Sequence, residues 1–92
     1  MLFVALLKAR PGTSQQRSAR RMEWQAPQGG AELVAEYWLQ TPDPAVVAVG
    51  KADHIGQLWA SFAGWDEFFD IAIYPATTAQ EGLELLKQMF PK

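Results

Sequence analysis

Three ionisable side chains of this sequence are candidates for proton transfer. His54 is the only histidine, and it follows Asp53 at the start of an amphipathic segment. An imidazole there could act as a general base or as an axial ligand of haem iron. Glu36 and Asp70 are the carboxylates inside the alternating patterns of two predicted strands. A carboxylate enclosed by apolar neighbours can act as a general acid or base. We therefore name His54, Glu36 and Asp70 as candidate catalytic residues.

Each of these candidates has a structural alternative. His54 would also fit an exposed residue in the first turn of a helix, beside a capping aspartate. Glu36 and Asp70 would also fit edge-strand carboxylates that reach water or pair with a lysine or arginine. The sequence leaves both readings open for all three residues.

Aromatic residues are the second group that could carry function. Four of the 92 residues are tryptophan. Such side chains line ligand pockets because they offer rigid apolar walls and, in tryptophan, an N–H donor. The candidate ligand-binding residues are Trp24, Tyr37, Trp38, Trp59, Trp65 and Tyr74. The alternative is that they fill the core or an interface, and it is strongest for Trp59, which lies on an apolar helical stripe.

Several kinds of chemistry have no support in the composition. The chain contains no cysteine, which removes disulfides, thiol catalysis and thiolate metal sites. No spacing typical of a metal site is present, and the sequence identifies no cofactor, haem and flavin included. The lack of cysteine fits a reducing compartment, so we expect a cytoplasmic protein. The apolar residues 1–7 are expected to form a strand rather than a signal peptide, and no membrane partner is expected.

Charge is unevenly distributed along the chain. Residues 1–24 contain five basic residues and one acidic residue, whereas the whole chain has a net charge of −2. We interpret the basic segment as a solvated helix face, because a nucleic-acid site usually comes with a strongly basic domain. RNA-recognition domains also need aromatic and basic residues on their third strand, and residues 45–50 have neither. No nucleic-acid partner is expected.

The hydrophobic patterns predict one domain over residues 1–92, with the order β-α-β-β-α-β-α. The strands are predicted at residues 2–9, 31–39, 45–50 and 67–74. The first helix is predicted from a capping box at Thr13 to about Gln25, before Pro27 and Gly29; the second from Asp53 to near Gly64; and the third after a capping box at Thr78. This is an α+β, ferredoxin-like order: a four-stranded antiparallel sheet, two helices on one face and an extra C-terminal helix.

The first predicted helix has a weak inward side, made of Ser18, Ala19 and Met22. A helix with small inward residues either packs closely on the sheet or leaves a void. We favour a cavity between this helix and the sheet, with Trp24 and Tyr37 at its rim.

Both faces of the predicted sheet are apolar. Residues 2–7 and 46–49 are bulky and apolar at nearly every position, whereas an exposed sheet face is normally polar at every second position. We therefore expect a homodimer in which two sheets stack. The faces that carry Glu36 with Trp38 and Asp70 with Tyr74 are expected to point into the dimer. The competing explanation is that the third helix folds across the second face.

The organisation resembles the dimeric α+β barrel superfamily, and within it an uncharacterised single-domain family. The resemblance is carried by the apolar first strand, the turn at residues 24–27, the strand residues 36–38 and the segment 69–75. It implies two ferredoxin-like chains stacked sheet to sheet. The superfamily includes cofactor-free monooxygenases, haem-degrading oxygenases and lactone isomerases, so the resemblance implies work on small molecules without fixing a reaction. In haem-degrading members a helical histidine faces the sheet, a role that only His54 could have here.

Three functions remain open at this point. The first is a homodimer that binds a small apolar or aromatic ligand between its helices and its sheet. The second is a small cofactor-free or haem-dependent monooxygenase or isomerase that uses His54, Glu36 or Asp70. The third is a structural or regulatory interaction module.

Overall fold

The computed structural model of the chain describes residues 1–25 and 30–91. The strands are β1 (Leu2–Ala9), β2 (Glu32–Trp38), β3 (Val46–Lys51) and β4 (Phe69–Ala76). The helices are α1 (Ser14–Glu23), α2 (Ile55–Ser61) and α3 (Ala79–Met89), with a short 3₁₀ helix at Trp65–Glu67. The predicted α+β class and element order are confirmed. Pro27 and Gly29, which were predicted to follow the first helix, lie outside the described residues, as does the second half of the turn at 24–27.

The four strands form one antiparallel sheet with the order β2-β3-β1-β4. This order is consistent with the ferredoxin-like fold, and it places the most apolar strands, β1 and β3, in the middle. Side chains of directly paired residues share a face of an antiparallel sheet. Leu7 pairs with Val46 on one side and with Ile71 on the other, so these three side chains lie on the same face.

One face of the sheet carries α1, α2 and the buried core. Phe3, Ala5 and Leu7 of β1 are almost completely buried on this face. They pack in two adjoining clusters with residues of β3, β4, α2 and the 3₁₀ helix, notably Trp65 and Leu58. We call this the covered face. It fixes the strand register, because a shift by one residue would expose the whole set.

The opposite face, which we call the open face, carries no helix among the described residues. Val4 lies at its centre, paired with Val49 of β3 and Tyr74 of β4. Its other apolar side chains are Leu2, Leu6, Ala35, Tyr37, Val47, Ala72 and Ala76. Tyr37 and Tyr74 are 59% and 55% exposed. The prediction that both faces are apolar is therefore confirmed.

Strand β2 differs from the predicted alternation because its register with β3 shifts between Leu33 and Ala35. A bulge inserts one residue and reverses the faces of the residues that follow it. Glu36 consequently pairs with Ala48, a buried core residue of the covered face. The prediction that Glu36 and Trp38 point into a dimer is wrong, since both side chains lie on the helix side. Asp70 and Tyr74 lie on the open face, and that they point into a dimer stays a prediction.

Two element boundaries also differ from the predictions. Helix α2 begins at Ile55 with His54 as its N-cap, one residue after the predicted Asp53, whose backbone N–H donates to the Gln57 side chain at 2.7 Å. The predicted fourth strand began at residue 67 and ended at Pro75. In the structure Pro75 lies inside β4, where its missing N–H is tolerated because β4 is an edge strand.

Helix α3 stands apart from the rest of the described chain. Its N-terminus is capped as predicted, with the Thr78 side chain accepting a hydrogen bond from the Glu81 N–H at 3.1 Å. No residue of α3 is buried, and its large apolar residues are at least half exposed: Leu83, Leu85, Leu86 and Met89. It does not cover the open face, so the competing explanation for that face is not supported.

Candidate functional site

A cavity of about 310 Å³ lies between α1, α2 and the covered face of the sheet. Ala5, Ala48 and Gly50 contribute to its floor, where small side chains leave space under the helices. It opens toward solvent beside β2, because Trp38 and Leu39 line it and are both substantially exposed. The sequence predicted a cavity between the first helix and the sheet, and one is present there. Its volume falls at the lower end of the ~300–1,000 Å³ that ligand pockets occupy.

Arg17 and Arg21 of α1 line the helix side of the cavity, and Arg20 between them contacts residues outside the lining. The Cζ atom of Arg17 lies 5.9 Å from the centre of the Phe69 ring, and that of Arg20 lies 4.7 Å from the centre of Phe68. Arg21, the next residue of α1, contacts Glu36 of β2. Guanidinium planes attract aromatic faces, and the arginine stems cover apolar surface. The interpretation of the basic segment as a solvated face therefore holds for Lys8, Arg10 and Arg20, which are exposed, but not for Arg17 and Arg21, which are half-buried.

The predicted inward side of α1 is correspondingly displaced. Ser18 does line the cavity. Ala19 is exposed, and Met22 is 82% exposed on the outer side of the helix. Compared with the prediction, α1 is turned about its axis so that its arginines face the sheet. The sheet and the 3₁₀ helix offer them aromatic rings, carboxylates and a carbonyl oxygen. An inward methionine would gain only apolar contact.

A polar group closes one side of the cavity at Glu36. The Arg21 guanidinium lies 3.3 Å from Oε1 of Glu36, and Nε1 of Trp38 donates to Oε2 of the same carboxylate. Arg21 also lies 5.1 Å from the centre of the Trp24 ring and 5.9 Å from that of Trp38. Both carboxylate oxygens of Glu36 are thus occupied by donors, which holds the two tryptophans and α1 in a defined arrangement.

Trp65 forms the inner aromatic wall. It is buried, and its ring centre lies 6.1 Å from those of Trp24 and Phe69. The ring is positioned by the preceding Gly64, whose φ of 86° is accessible to glycine at little cost. Arg20 fixes the same segment to α1, because its Nη1 donates to the Gly64 carbonyl at 2.9 Å.

The close approach of α2 limits the other end of the cavity. A Cβ atom at Gly50 would lie 3.1 Å from Cδ2 of Leu58 and 3.3 Å from the carbonyl oxygen of Glu32. An alanine at this position would require the buried Leu58 side chain to move away from β3 by a few tenths of an ångström. The Ser61 hydroxyl, which also lines the cavity, donates to the Gln57 carbonyl one turn earlier at 3.0 Å.

The three candidate catalytic residues lie in different places. Glu36 lines the cavity. Asp70 lies on the open face, where its Oδ1 is 2.9 Å from Nη2 of Arg10. His54 is exposed at the N-terminus of α2 and does not line the cavity among the described residues. Because Glu36 and Asp70 lie on opposite faces of the sheet, the chain does not bring them together.

The six aromatic candidates divide into three groups. Trp24, Trp38 and Trp65 line the cavity. Tyr37 and Tyr74 lie on the open face, so the prediction of Tyr37 at the cavity rim is wrong. Its cause is the bulge in β2, which reverses the faces of the residues after it. Trp59 was expected in the core stripe of the second helix, but it is 46% exposed because only the Leu58 and Phe62 side of α2 packs on the sheet.

Comparison with known proteins gives one match. Residues 1–90 match the model of a protein family described as a domain of unknown function, DUF3303. The chain belongs to this family. The searches of the curated proteins and of the solved structures gave no match to this chain. The family description carries no activity, so the chemistry of this DUF3303 domain has to be argued from its own residues.

Arg17 and Arg21 are the cavity residues of the DUF3303 domain that sequence reasoning missed. Together with Arg20 and Trp24 they recur at the spacing i, i+3, i+4 and i+7, which is one face of a helix. That signal was available in the sequence. A hydrophobicity pattern does not show this face, because arginine is scored as polar even where its stem and guanidinium contact apolar or aromatic side chains.

Residues 1–25 and 30–91 contain no group of three or more histidine, cysteine, aspartate or glutamate side chains that could hold a metal ion. Within the same ranges, every helix is too short or too polar to cross a bilayer.

Proposed function

We propose that this DUF3303 domain is a homodimer that binds a small apolar or aromatic molecule in the cavity between its helices and its sheet. The observation that carries the proposal is the cavity itself. It combines an apolar floor, aromatic walls at Trp24 and Trp65, and a polar group at Arg21 and Glu36 along one side. Ligand pockets typically have this composition: mostly apolar lining with a few placed polar groups that orient the ligand.

The positions and partners of the three candidate catalytic residues favour binding over catalysis. Glu36 is the candidate catalytic residue at the cavity, and both of its oxygens already accept hydrogen bonds from Arg21 and Trp38. General acid–base catalysis needs titratable groups within hydrogen-bond reach of the substrate, and Glu36 is the one candidate of the three that lines the cavity. His54 and Asp70 lie elsewhere on the fold, so they supply no second group for a proton transfer in this cavity.

The binding proposal is tested by filling the cavity from the helix side. Ser18 and Ala19 are both exposed to solvent on α1, but only Ser18 lines the cavity. Isothermal titration calorimetry with 1-naphthylacetamide, a neutral aromatic probe, should give a measurable Kd for the unmodified protein and for Ala19→Phe. Ser18→Phe should abolish binding, because its ring would occupy the ligand's space.

The matched pair of variants separates cavity binding from attachment to exposed apolar surface. Both variants add the same side chain at adjacent positions of α1. An effect on folding, or non-specific binding of the probe to the added ring, would therefore appear in both. Equal binding by both variants would place the probe outside the cavity and contradict the proposal. No binding by the unmodified protein would also contradict it.

The open face supports the second copy in the proposal. This face combines Val4, Leu6, Val47 and Val49 with the exposed rings of Tyr37 and Tyr74. Soluble monomers rarely expose a contiguous apolar patch larger than a few hundred Å². A stable dimer buries about 800 Å² per partner, and pairing identical open faces about a two-fold axis is the simplest arrangement that does so.

Helix α3 supports the same arrangement. Its large apolar side chains are at least half exposed, and Phe90 just after it is 71% exposed. A second copy that meets the open face would also bring a surface within reach of this helix. Native mass spectrometry tests the stoichiometry directly: the proposal expects twice the chain mass of 10.2 kDa. A monomer at micromolar concentration would contradict it.

A further inference from the structure

The four arginines of the chain differ in one respect that bears on the ligand. Arg10 pairs with Asp70 at 2.9 Å, Arg20 with Glu67 at 3.0 Å and Arg21 with Glu36 at 3.3 Å. Arg17 has no carboxylate within 4.0 Å among the described residues. Its guanidinium donates through Nη1 to the Thr13 hydroxyl at 2.8 Å and lies over the Phe69 ring.

Arg17 is also the arginine whose position matters most for a bound molecule. Its side chain lines the cavity and is only partly exposed. Phe69 forms part of the same lining. A guanidinium has five N–H donors in a planar fork, and the bond to Thr13 uses one. Donors and a positive charge therefore remain at the cavity without a protein carboxylate to match them.

We infer that the ligand of this cavity is an aromatic monocarboxylate whose carboxylate binds Arg17. This inference rests on the proposed function of the cavity and names its ligand class. Carboxylates match the arginine fork with two parallel hydrogen bonds, which a neutral polar group cannot do as well. The aromatic body of the ligand would lie between Trp24, Trp65 and Phe69, where ring faces and edges are available for stacking.

A single negative charge is favoured over a phosphate dianion. Arg21, the other arginine of the cavity, is already neutralised by Glu36. The Glu36 carboxylate lines the same cavity, so a second negative charge on the ligand would be repelled. The volume of about 310 Å³ also fits a compact acid better than a nucleotide.

The test compares 1-naphthylacetate with its neutral isostere 1-naphthylacetamide by isothermal titration calorimetry. The unmodified protein should bind the acetate at least about tenfold more tightly, as expected for charge-assisted hydrogen bonds to a guanidinium. Arg17→Gln should remove this preference while it leaves the Kd for the acetamide nearly unchanged. Arg17→Lys should retain part of the preference, because it keeps the charge and loses the fork.

Lys87→Gln is the matched control, since it removes the same charge from an exposed site on α3 outside the cavity. It should leave the preference intact. Circular dichroism of each variant checks that α1 is still folded after the bond to Thr13 is lost.

The possible failures are distinguishable. Equal binding of both compounds to the unmodified protein would overturn the carboxylate inference and leave the cavity as a neutral aromatic site. A preference that survives Arg17→Gln would overturn the role of Arg17. Absence of binding by both compounds would contradict the proposed function itself, and this inference with it.

Discussion

Arginine side chains attach α1 to the rest of the chain. The helix has no fully buried residue among those described, and its contacts run through guanidinium groups. Arg20 makes the most of these contacts: a hydrogen bond to the Gly64 carbonyl, an ion pair with Glu67 and a stacked contact on Phe68. An ion pair with exposed partners contributes little by itself, so the combination with the carbonyl and the ring has to hold the helix.

Replacement of Arg20 should therefore destabilise the protein more than an exposed ion pair would suggest. We expect Arg20→Met to lower the free energy of unfolding by about 1–2 kcal/mol, measured by urea denaturation. Arg20→Lys should be nearly as damaging, because an ammonium cannot bond the carbonyl and Glu67 in the same plane while it covers the ring.

Lys8→Met provides the control for loss of a basic residue. Lys8 makes a long, exposed ion pair with Asp43 at 3.8 Å, and its replacement should change the free energy of unfolding by less than about 0.5 kcal/mol. If Arg20→Met is no more destabilising than Lys8→Met, the arginine contacts do not hold α1 in place.

Among the individual cavity residues, some could be identified from the sequence and others could not, for a physical reason. Trp24, Trp38, Trp65 and Glu36 were found because aromatic rings and strand carboxylates are conspicuous by type. Arg17 was not found, because its partner Phe69 is distant in sequence and only the folded sheet brings the two together. Contacts between a polar stem and a remote ring leave no trace in a hydrophobic pattern.

The elements were largely predictable, and their faces were not. Strands β1 and β3 are so uniformly apolar that their inner positions in the sheet followed from composition. Strand β2 was found, but its bulge at residue 34 reversed the faces of Glu36 and Tyr37. A bulge depends on pairing with β3, so strict alternation along one strand cannot reveal it. This one shift moved Glu36 into the cavity and Tyr37 out of it.

Two glycines in different elements should respond oppositely to substitution. At Gly50 in β3, an added Cβ meets Leu58 and the Glu32 carbonyl oxygen at 3.1 and 3.3 Å. At Gly82 in α3, an added Cβ meets nothing within 4 Å. Gly50→Ala should push α2 away from the sheet and lower the free energy of unfolding by about 1 kcal/mol. Gly82→Ala should not lower it, because alanine favours a helix interior.

Urea denaturation of the two alanine variants checks this prediction, and calorimetry with 1-naphthylacetamide adds a functional readout. Gly50→Ala should also weaken probe binding, since Gly50 and Leu58 both line the cavity. Equal denaturation midpoints for the two variants would mean that the contact between α2 and β3 is not close in solution.

The described chain is more extended than a compact domain of its length. Its radius of gyration is 15.5 Å, against about 12 Å expected for a compact domain of this length, and its extents are 55 × 30 × 17 Å. The thin dimension reflects a sheet with helices on one side, and the long one reflects α3 extending from the body. Sequence alone indicated the apolar open face but not the position of α3, because a short amphipathic helix packs equally well on its own chain or on a neighbour.

Proposed dimerisation makes a specific prediction for these two surfaces. Tyr74 on the open face and Leu86 on α3 are 55% and 50% exposed in the single chain, so a lysine at either position costs the monomer little. In a dimer that buries both, the lysine would be desolvated without a partner. Tyr74→Lys and Leu86→Lys should each raise the dimer Kd by about tenfold or more in analytical ultracentrifugation.

The control for α3 is Gln88→Lys. Helical periodicity places Gln88 on the polar side with Gln80 and Glu84, opposite Leu86, so its replacement should leave the Kd unchanged. A loss of dimer in Tyr74→Lys alone would confine the interface to the open face and leave α3 free of the partner. A loss in Leu86→Lys as well would mean that α3 crosses to the second subunit, since α3 contacts too little of its own chain for the change to act through the monomer. Sedimentation of all three variants like the unmodified dimer would exclude both surfaces from the interface.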